Sequence, residues 1–136
     1  MRILALDIGE KNIGVAISDE LGITAQGLPN LQRGQDAQTI LGLSEIVKKN
    51  NVQEIVAGMP VNMDGTLGKQ AREIAVFLEK IKEKIALPIK VWDERLSSLQ
   101  AERIMLEADL SRKKRKKNID RLAAQLILQS YLDAIK

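Results

Sequence analysis

From Arg2 to Asp19 the chain alternates with period two: Ile3, Ala5 and Asp7 fall on one face of an extended segment, Leu4 and Leu6 on the other. Both faces are apolar until the Asp7 carboxylate interrupts one, which predicts a mid-sheet strand covered on both sides. Gly9 and the polar Glu10, Lys11 and Asn12 follow, and a second apolar run, Ile13 to Ile17, closes on Ser18 and Asp19. This is the pattern of a hairpin with a short loop. Gly22 to Arg33 reads as a third strand, placed at an edge because Pro29 has no N–H to give a ladder.

The period then changes. From Asp36, the residues Ala37, Ile40, Leu41, Ser44 and Val47 have helical spacing, and Lys48, Lys49, Asn50 and Asn51 suit a helix C-terminus. Glu54 to Gly58 is a short buried strand, Asp64-Gly65 marks a turn, and Thr66 is the expected N-cap of the next helix. That helix carries the stripe Leu67, Ala71, Ile74, Ala75, Leu78, Ile81 and Ile85 until Pro88 ends it, and Pro88 to Trp92 returns as a strand. Strand, helix, strand predicts a parallel right-handed crossover. GTLGKQ is not a phosphate loop, since Met63 stands at the first glycine position and Gln70 where Ser or Thr is needed.

The last strand ends in Asp93-Glu94-Arg95, after which Ser97 and Gln100 have capping-box spacing before a helix containing Leu99, Ile104 and Ala108. The unbroken cations Arg112, Lys113, Lys114, Arg115, Lys116 and Lys117 have no apolar period and repel one another, which predicts a mobile loop. Asn118 is then expected to open the final helix, with Asp120 in its first turn and Ile119, Leu122, Ala123, Leu126, Tyr131 and Ile135 facing inward.

Composition narrows the chemistry. The 136 residues suit one domain, residues 1–136, of α/β class with 45% hydrophobic and 29% charged positions. No apolar run approaches the ~20 residues of a membrane span and the start reaches Asp7 too early for a signal peptide, so a cytoplasmic protein is expected. The chain has neither cysteine nor histidine. Thiolate nucleophiles, disulfides, imidazole bases and imidazole-bound metals are therefore excluded. Carboxylates without imidazole recruit hard, oxygen-loving cations, chiefly Mg²⁺ or Mn²⁺. The net charge is +3, yet without the six-residue basic run 15 cations face 18 acids. Positive charge is concentrated in one place.

An ionised Asp7 in a buried strand costs several kcal/mol unless it is hydrogen-bonded, paired or metal-bound. Taken singly, each acid has an ordinary reading: Asp7 as an Asx turn, Asp93 and Glu94 as a polar strand end, Asp120 as a partner of the helix dipole worth about 0.3 to 1 kcal/mol. Taken together, one acid in the first strand, one ending the last and one in the final helix surround a sheet of three antiparallel strands joined to two parallel ones. That is the arrangement of ribonuclease H-like nucleases.

Along nearly its whole length the chain also resembles one family of that superfamily, the YqgF family, also described as RuvX-like Holliday junction resolvases and as pre-16S rRNA nucleases. The residues that carry the resemblance are DIGEKNIGVAISD from Asp7, GMPVNMDGTLGKQA from Gly58, DERLSSLQAE from Asp93 and KKNIDRLAAQLILQSYLD from Lys116. It implies a ribonuclease H-like fold, a five-stranded mixed sheet flanked by helices, with Asp7, Glu94 and Asp120 as catalytic and metal-holding residues. A two-metal Mg²⁺ or Mn²⁺ site would hydrolyse phosphodiester bonds, with Lys11, Lys69, Arg95 and the run Arg112 to Lys117 as candidate phosphate holders. Structured RNA, at the 5′ end of pre-16S rRNA, is the expected substrate. Branched DNA is the alternative, and a weakly catalytic ribosome assembly factor the alternative of another class. Two departures from the family stand out: Asn12 where Arg is common, so that no phosphate contact is assigned to position 12, and Ser97-Ser98 where Thr-Thr is frequent, which keeps a hydroxyl.

Overall fold

Strand β1 (Arg2–Ile8) sorts its side chains as the alternation predicts: Leu4, Leu6 and Ile8 enter one apolar cluster, Ile3 and Ala5 another on the opposite face. The structure is a computed structural model that describes residues 1–96 and 112–135, without the side chains of 112–121. Within it, β1, β2 (Asn12–Ser18), β3 (Ala25–Gln32), β4 (Val52–Met59) and β5 (Ile89–Asp93) form one sheet in the order β3-β2-β1-β4-β5. The first three strands pair antiparallel, while β4 runs parallel to both β1 and β5. Pro29 lies on β3, an edge strand, as its missing N–H requires.

Helices α1 (Asp36–Lys49) and α2 (Lys69–Lys84) cover the Leu4–Leu6 face through Ile40, Leu43, Ile74, Phe77, Leu78 and Ile81. The final helix, α3 (Arg112–Ala134), covers the other face through Ala124, Ile127, Leu128, Tyr131 and Leu132. Beneath it lie the small residues Ala5, Ala16 and Ala25, which let a helix approach the sheet closely. Among the described residues no helix is long and apolar enough to cross a membrane.

Several local expectations change. The third strand starts at Ala25 because residues 19–24 form a turn, closed by hydrogen bonds from Gly22 N to Asp19 O and Asp19 N to Thr24 O; Gly22 takes a left-handed φ of 71° there. Thr66 does not cap α2. Its N–H and hydroxyl both donate to Asp64, so the cap falls to Gly68, and Leu67 lies outside the helix and exposed. Ala75 faces solvent and Phe77 takes the inward place.

The basic run is not a loop: α3 begins at Arg112, six residues before Asn118. Lys and Arg are good helix formers, and each like-charge pair at i,i+4 costs only a few tenths of a kcal/mol, too little to break a helix held by its later turns. The inward face also differs. Ile135 is exposed and Leu122, Ala123 and Leu126 are half-buried, while Ala124, Ile127, Leu128 and Leu132 are buried. The segment from Leu122 to Leu132 is apolar nearly all round, so its periodicity could not choose a face. Gln125 and Gln129 settle the rotation by bonding to the backbone of Ile23 and Ala25. The capping box at Ser97 and the apolar positions Leu99, Ile104 and Ala108 lie outside the described residues.

Candidate active site

Asp7 and Glu94 meet at the C-terminal edge of the parallel strands, where open α/β sheets bind their ligands. Asp7 is the next-to-last residue of β1 and stands opposite Gly14 of β2. Glu94 opens a single 3-10 turn, Glu94–Leu96, directly after β5. β4 separates the two strands, so their backbones are about 10 Å apart. Even so, the carboxyl groups of Glu94 and Asp7 are hydrogen-bonded to each other. Burial first, then the hydrogen bond to Asp7 and the charges of Asp7 and Asp93, push Glu94 up from 4.5 to about 8.

Asp93, its neighbour, has the opposite character. The guanidinium of Arg95 donates to Oδ2 from both Nε, at 2.9 Å, and Nη2, at 2.7 Å, and Nε also reaches Oδ1 at 3.2 Å, which holds Asp93 below the usual carboxylate range. The residue pattern does not choose within this pair of acids and the family resemblance points to Glu94; in the structure Asp93 is paired with an arginine, and Glu94 faces Asp7. Asp120 lies on α3, and its side chain is outside the described residues. The helix is directed toward the same edge, since Tyr131 meets Glu54 near the start of β4 whereas Ile127 meets Gly58 near its end. Among the described residues no group of three or more acids is arranged to hold a metal ion.

The cations expected to hold phosphate fall into four situations. Lys11 is exposed in the loop between β1 and β2. Lys69 opens α2, a helix with no acid in its first turn, and stands 3.9 Å from Glu73. A cation there opposes the helix dipole. Arg95 is engaged, by Asp93 and by a hydrogen bond from Nη1 to the carbonyl of Asn62, which ties the loop after β4 to the end of β5. Arg112 to Lys117 form the first turns of α3, with side chains outside the described residues.

Two residues that the sequence pattern did not single out shape the same edge. Arg33 donates from Nη1 to the Gly9 carbonyl at 2.8 Å and lies 4.6 Å above the centroid of the buried Phe77 ring. Its backbone N–H also donates to the Lys11 carbonyl, so the loop carrying Lys11 is held from both ends. Gly58 is buried on β4 between the two acids, and a Cβ there would lie 2.8 Å from Glu94 Oε1. A glycine inside an otherwise apolar strand was the available signal, because it marks close approach by another group.

Residues 1–134 match the RuvX Holliday junction resolvase family. A protein from Desulforamulus reducens named "Putative pre-16S rRNA nuclease" is 53% identical over 134 residues, covering 98% of each chain. One of the same name from Clostridium kluyveri is 56% identical over 135 residues, covering 99% of this chain and 98% of its own. In structure the chain is similar to Thermus thermophilus RuvC in complex with a Holliday junction substrate, with a TM-score of 0.59 at 10% identity, covering 99% of this chain and 96% of that one. The fowlpox virus Holliday junction resolvase aligns over the whole of both chains with a TM-score of 0.57 at 13% identity. At such low identities these two likenesses speak for the fold, which is ribonuclease H-like.

Proposed function

The chain belongs to the RuvX family, and from that premise we propose that residues 1–136 form one cytoplasmic nuclease domain hydrolysing phosphodiester bonds of structured RNA, at the 5′ end of pre-16S rRNA. The observation that carries the reading is the Asp7–Glu94 contact. Two carboxyls pressed together at the partly buried edge of a sheet, one keeping its proton to about pH 8, form a donor set that a hard dication would relieve. The chain offers oxygen donors and neither imidazole nor thiolate, which fits Mg²⁺ or Mn²⁺.

Asp7, Glu94 and Asp120 would hold the cations. Bound there, Mg²⁺ or Mn²⁺ supplies Lewis acidity, lowering the pKa of water and stabilising the charge that develops on the leaving 3′ oxygen. The remaining work belongs to the chain. Lys11, held in place through Arg33, offers a cation for a phosphate beside the acids. Lys69 and the free N–H groups at the start of α2 are suited to a second phosphate. Arg95 acts through its bonds to Asp93 and Asn62, fixing the loop after β4, and Arg112 to Lys117 extend the positive surface along α3.

The three aromatic rings support backbone recognition over base stacking. Phe77 and Tyr131 are buried, and Trp92 packs edge-on against Tyr131 at 5.6 Å while its Nε1 donates to Ser130. RNA is then told from DNA by its 2′-hydroxyls and A-form shape. Incubation of the protein with a pre-16S rRNA fragment and with a four-way DNA junction, under Mg²⁺, Mn²⁺ or chelator, tests the proposal. Cation-dependent cutting of the RNA, lost when 2′-deoxy nucleotides flank the scissile bond, is expected. Symmetrical cutting of the junction without turnover of the RNA would overturn it in favour of the resolvase activity for which the family is named.

A further inference from the structure

Glu94, directly after β5, and Asp7, on β1, are carried by strands that are not neighbours, and the strand between them has no side chain at the crossing point. Gly58 pairs with Trp92 of β5 and lies one position beyond the Leu6–Ala57 pair of β1 and β4. It therefore sits beside Asp7 on the face that α3 covers. A Cβ built there would stand 2.8 Å from Glu94 Oε1, 2.9 Å from Glu94 Cγ and 2.5 Å from Ile127 Cδ1. Real Cβ atoms essentially never approach other heavy atoms below 3.0 Å. Its φ lies outside the left-handed region, so the backbone does not require glycine here. A glycine in the interior of a buried strand weakens it, and here what the position offers in return is the space that Glu94 occupies.

The geometry points to Gly58 as a positioning residue: its missing side chain is the passage through which Glu94 crosses β4 to reach Asp7, and any larger residue parts the two carboxyls. The consequence for divalent cations rests on the metal role proposed for the pair; the spatial relationship does not. Ile127 supplies the competing explanation, that glycine is kept only for packing against α3. Ile127→Val deletes the Cδ1 atom that would collide with a Cβ at position 58 while leaving Glu94 untouched, so the double variant G58A/I127V separates the two.

Four proteins are compared, parent, I127V, G58A and G58A/I127V, by urea unfolding, by calorimetric titration of the metal-free protein with Mn²⁺, and by crystal structure. The double variant should unfold close to I127V yet bind Mn²⁺ about 10-fold or more weakly, the size of loss seen when groups that orient ligands are disturbed. Its structure should show Glu94 out of hydrogen-bonding range of Asp7. Mn²⁺ affinity equal to that of I127V, with the contact intact, overturns the proposal and leaves Gly58 a packing residue. If the parent itself binds no Mn²⁺, the metal reading fails instead. The structure of G58A/I127V then decides alone, and a preserved Asp7–Glu94 hydrogen bond counts against Gly58.

Discussion

Glu94 hydrogen-bonds to Asp7 across an intervening strand, and that contact turns two carboxyls from distant parts of the chain into one site. Most of the protein's expected behaviour toward pH and cations follows from it.

Without metal, stability should fall as pH rises. Glu94 titrates near 8 in the folded protein and ordinarily at 4.5. Below about pH 4.5 both states hold the proton and the group makes no difference. Between 4.5 and 8 the folded state keeps a proton the unfolded chain has released, so unfolding becomes easier with each step in pH, and above about 8 the full penalty, on the order of a few kcal/mol, is present. No histidine titrates in that window. Melting of the protein in chelator from pH 5 to 8.5 should show a falling midpoint that Glu94→Gln flattens. Parallel profiles for the two proteins would show that Glu94 is not the group responsible.

Cation affinity should move the other way. A dication displaces the proton that Glu94 keeps, so Mg²⁺ or Mn²⁺ binding should tighten with pH up to about 8 and release protons. Calorimetry in buffers of different ionisation enthalpy measures that release. Binding of equal strength at pH 6 and 8 would place the cation elsewhere.

Replacing Arg112 to Lys117 by Gln should flatten the dependence of log affinity on log salt. A loop could lay all six cations along a duplex and lose about five units of slope. The run is helical, and successive positions turn by about 100° around the axis, so roughly half can face one backbone. A loss of about two to three units is expected from filter binding at varied salt. An unchanged slope would remove the run from the binding surface.

The edge of the sheet away from the acids should matter for stability alone. Tyr131 donates its hydroxyl to the buried Glu54 at 3.0 Å, and Lys90 stands 3.2 Å from the same oxygen. Tyr131→Phe leaves Glu54 with one partner and should cost about 1 to 2 kcal/mol in urea unfolding without changing cleavage. A change in cleavage with unchanged stability would contradict this division.

The sheet was legible because β1 writes its two-sided burial into alternation, and because Pro29 marks an edge and Pro88 a helix end. Asp7 was legible as a charge near the end of a strand whose residues from Ile3 to Leu6 are all apolar. What local pattern could not supply was whatever depends on two segments at once. The rotation of α3 is decided by Gln125 and Gln129 on the backbone of Ile23 and Ala25, at the start of β3, and neither glutamine shows this in its own neighbourhood. The residues alone do not choose between Asp93 and Glu94; the resemblance to a family points to Glu94, and in the structure Arg95, two residues on, pairs with Asp93. Arg33 and Gly58 were missed for the same reason. A lone arginine after an edge strand and a glycine before Met59 acquire meaning only from Phe77, Gly9 and Glu94, which meet them through the fold.

The most direct test of the account is the single-turnover hydrolysis rate of Asp7→Asn on pre-16S rRNA at saturating Mn²⁺, measured alongside RNA affinity and metal-free melting. Asparagine keeps the shape and removes the charge, so the rate should fall by about a thousandfold or more, equivalent to about 4 kcal/mol of lost transition-state stabilisation. RNA affinity should be retained, and metal-free melting should be equal or higher because the carboxyl pair is no longer crowded. A variant that cleaves near the parent rate, or that loses activity only because it unfolds, would contradict the assignment of Asp7 and Glu94 as the catalytic metal site.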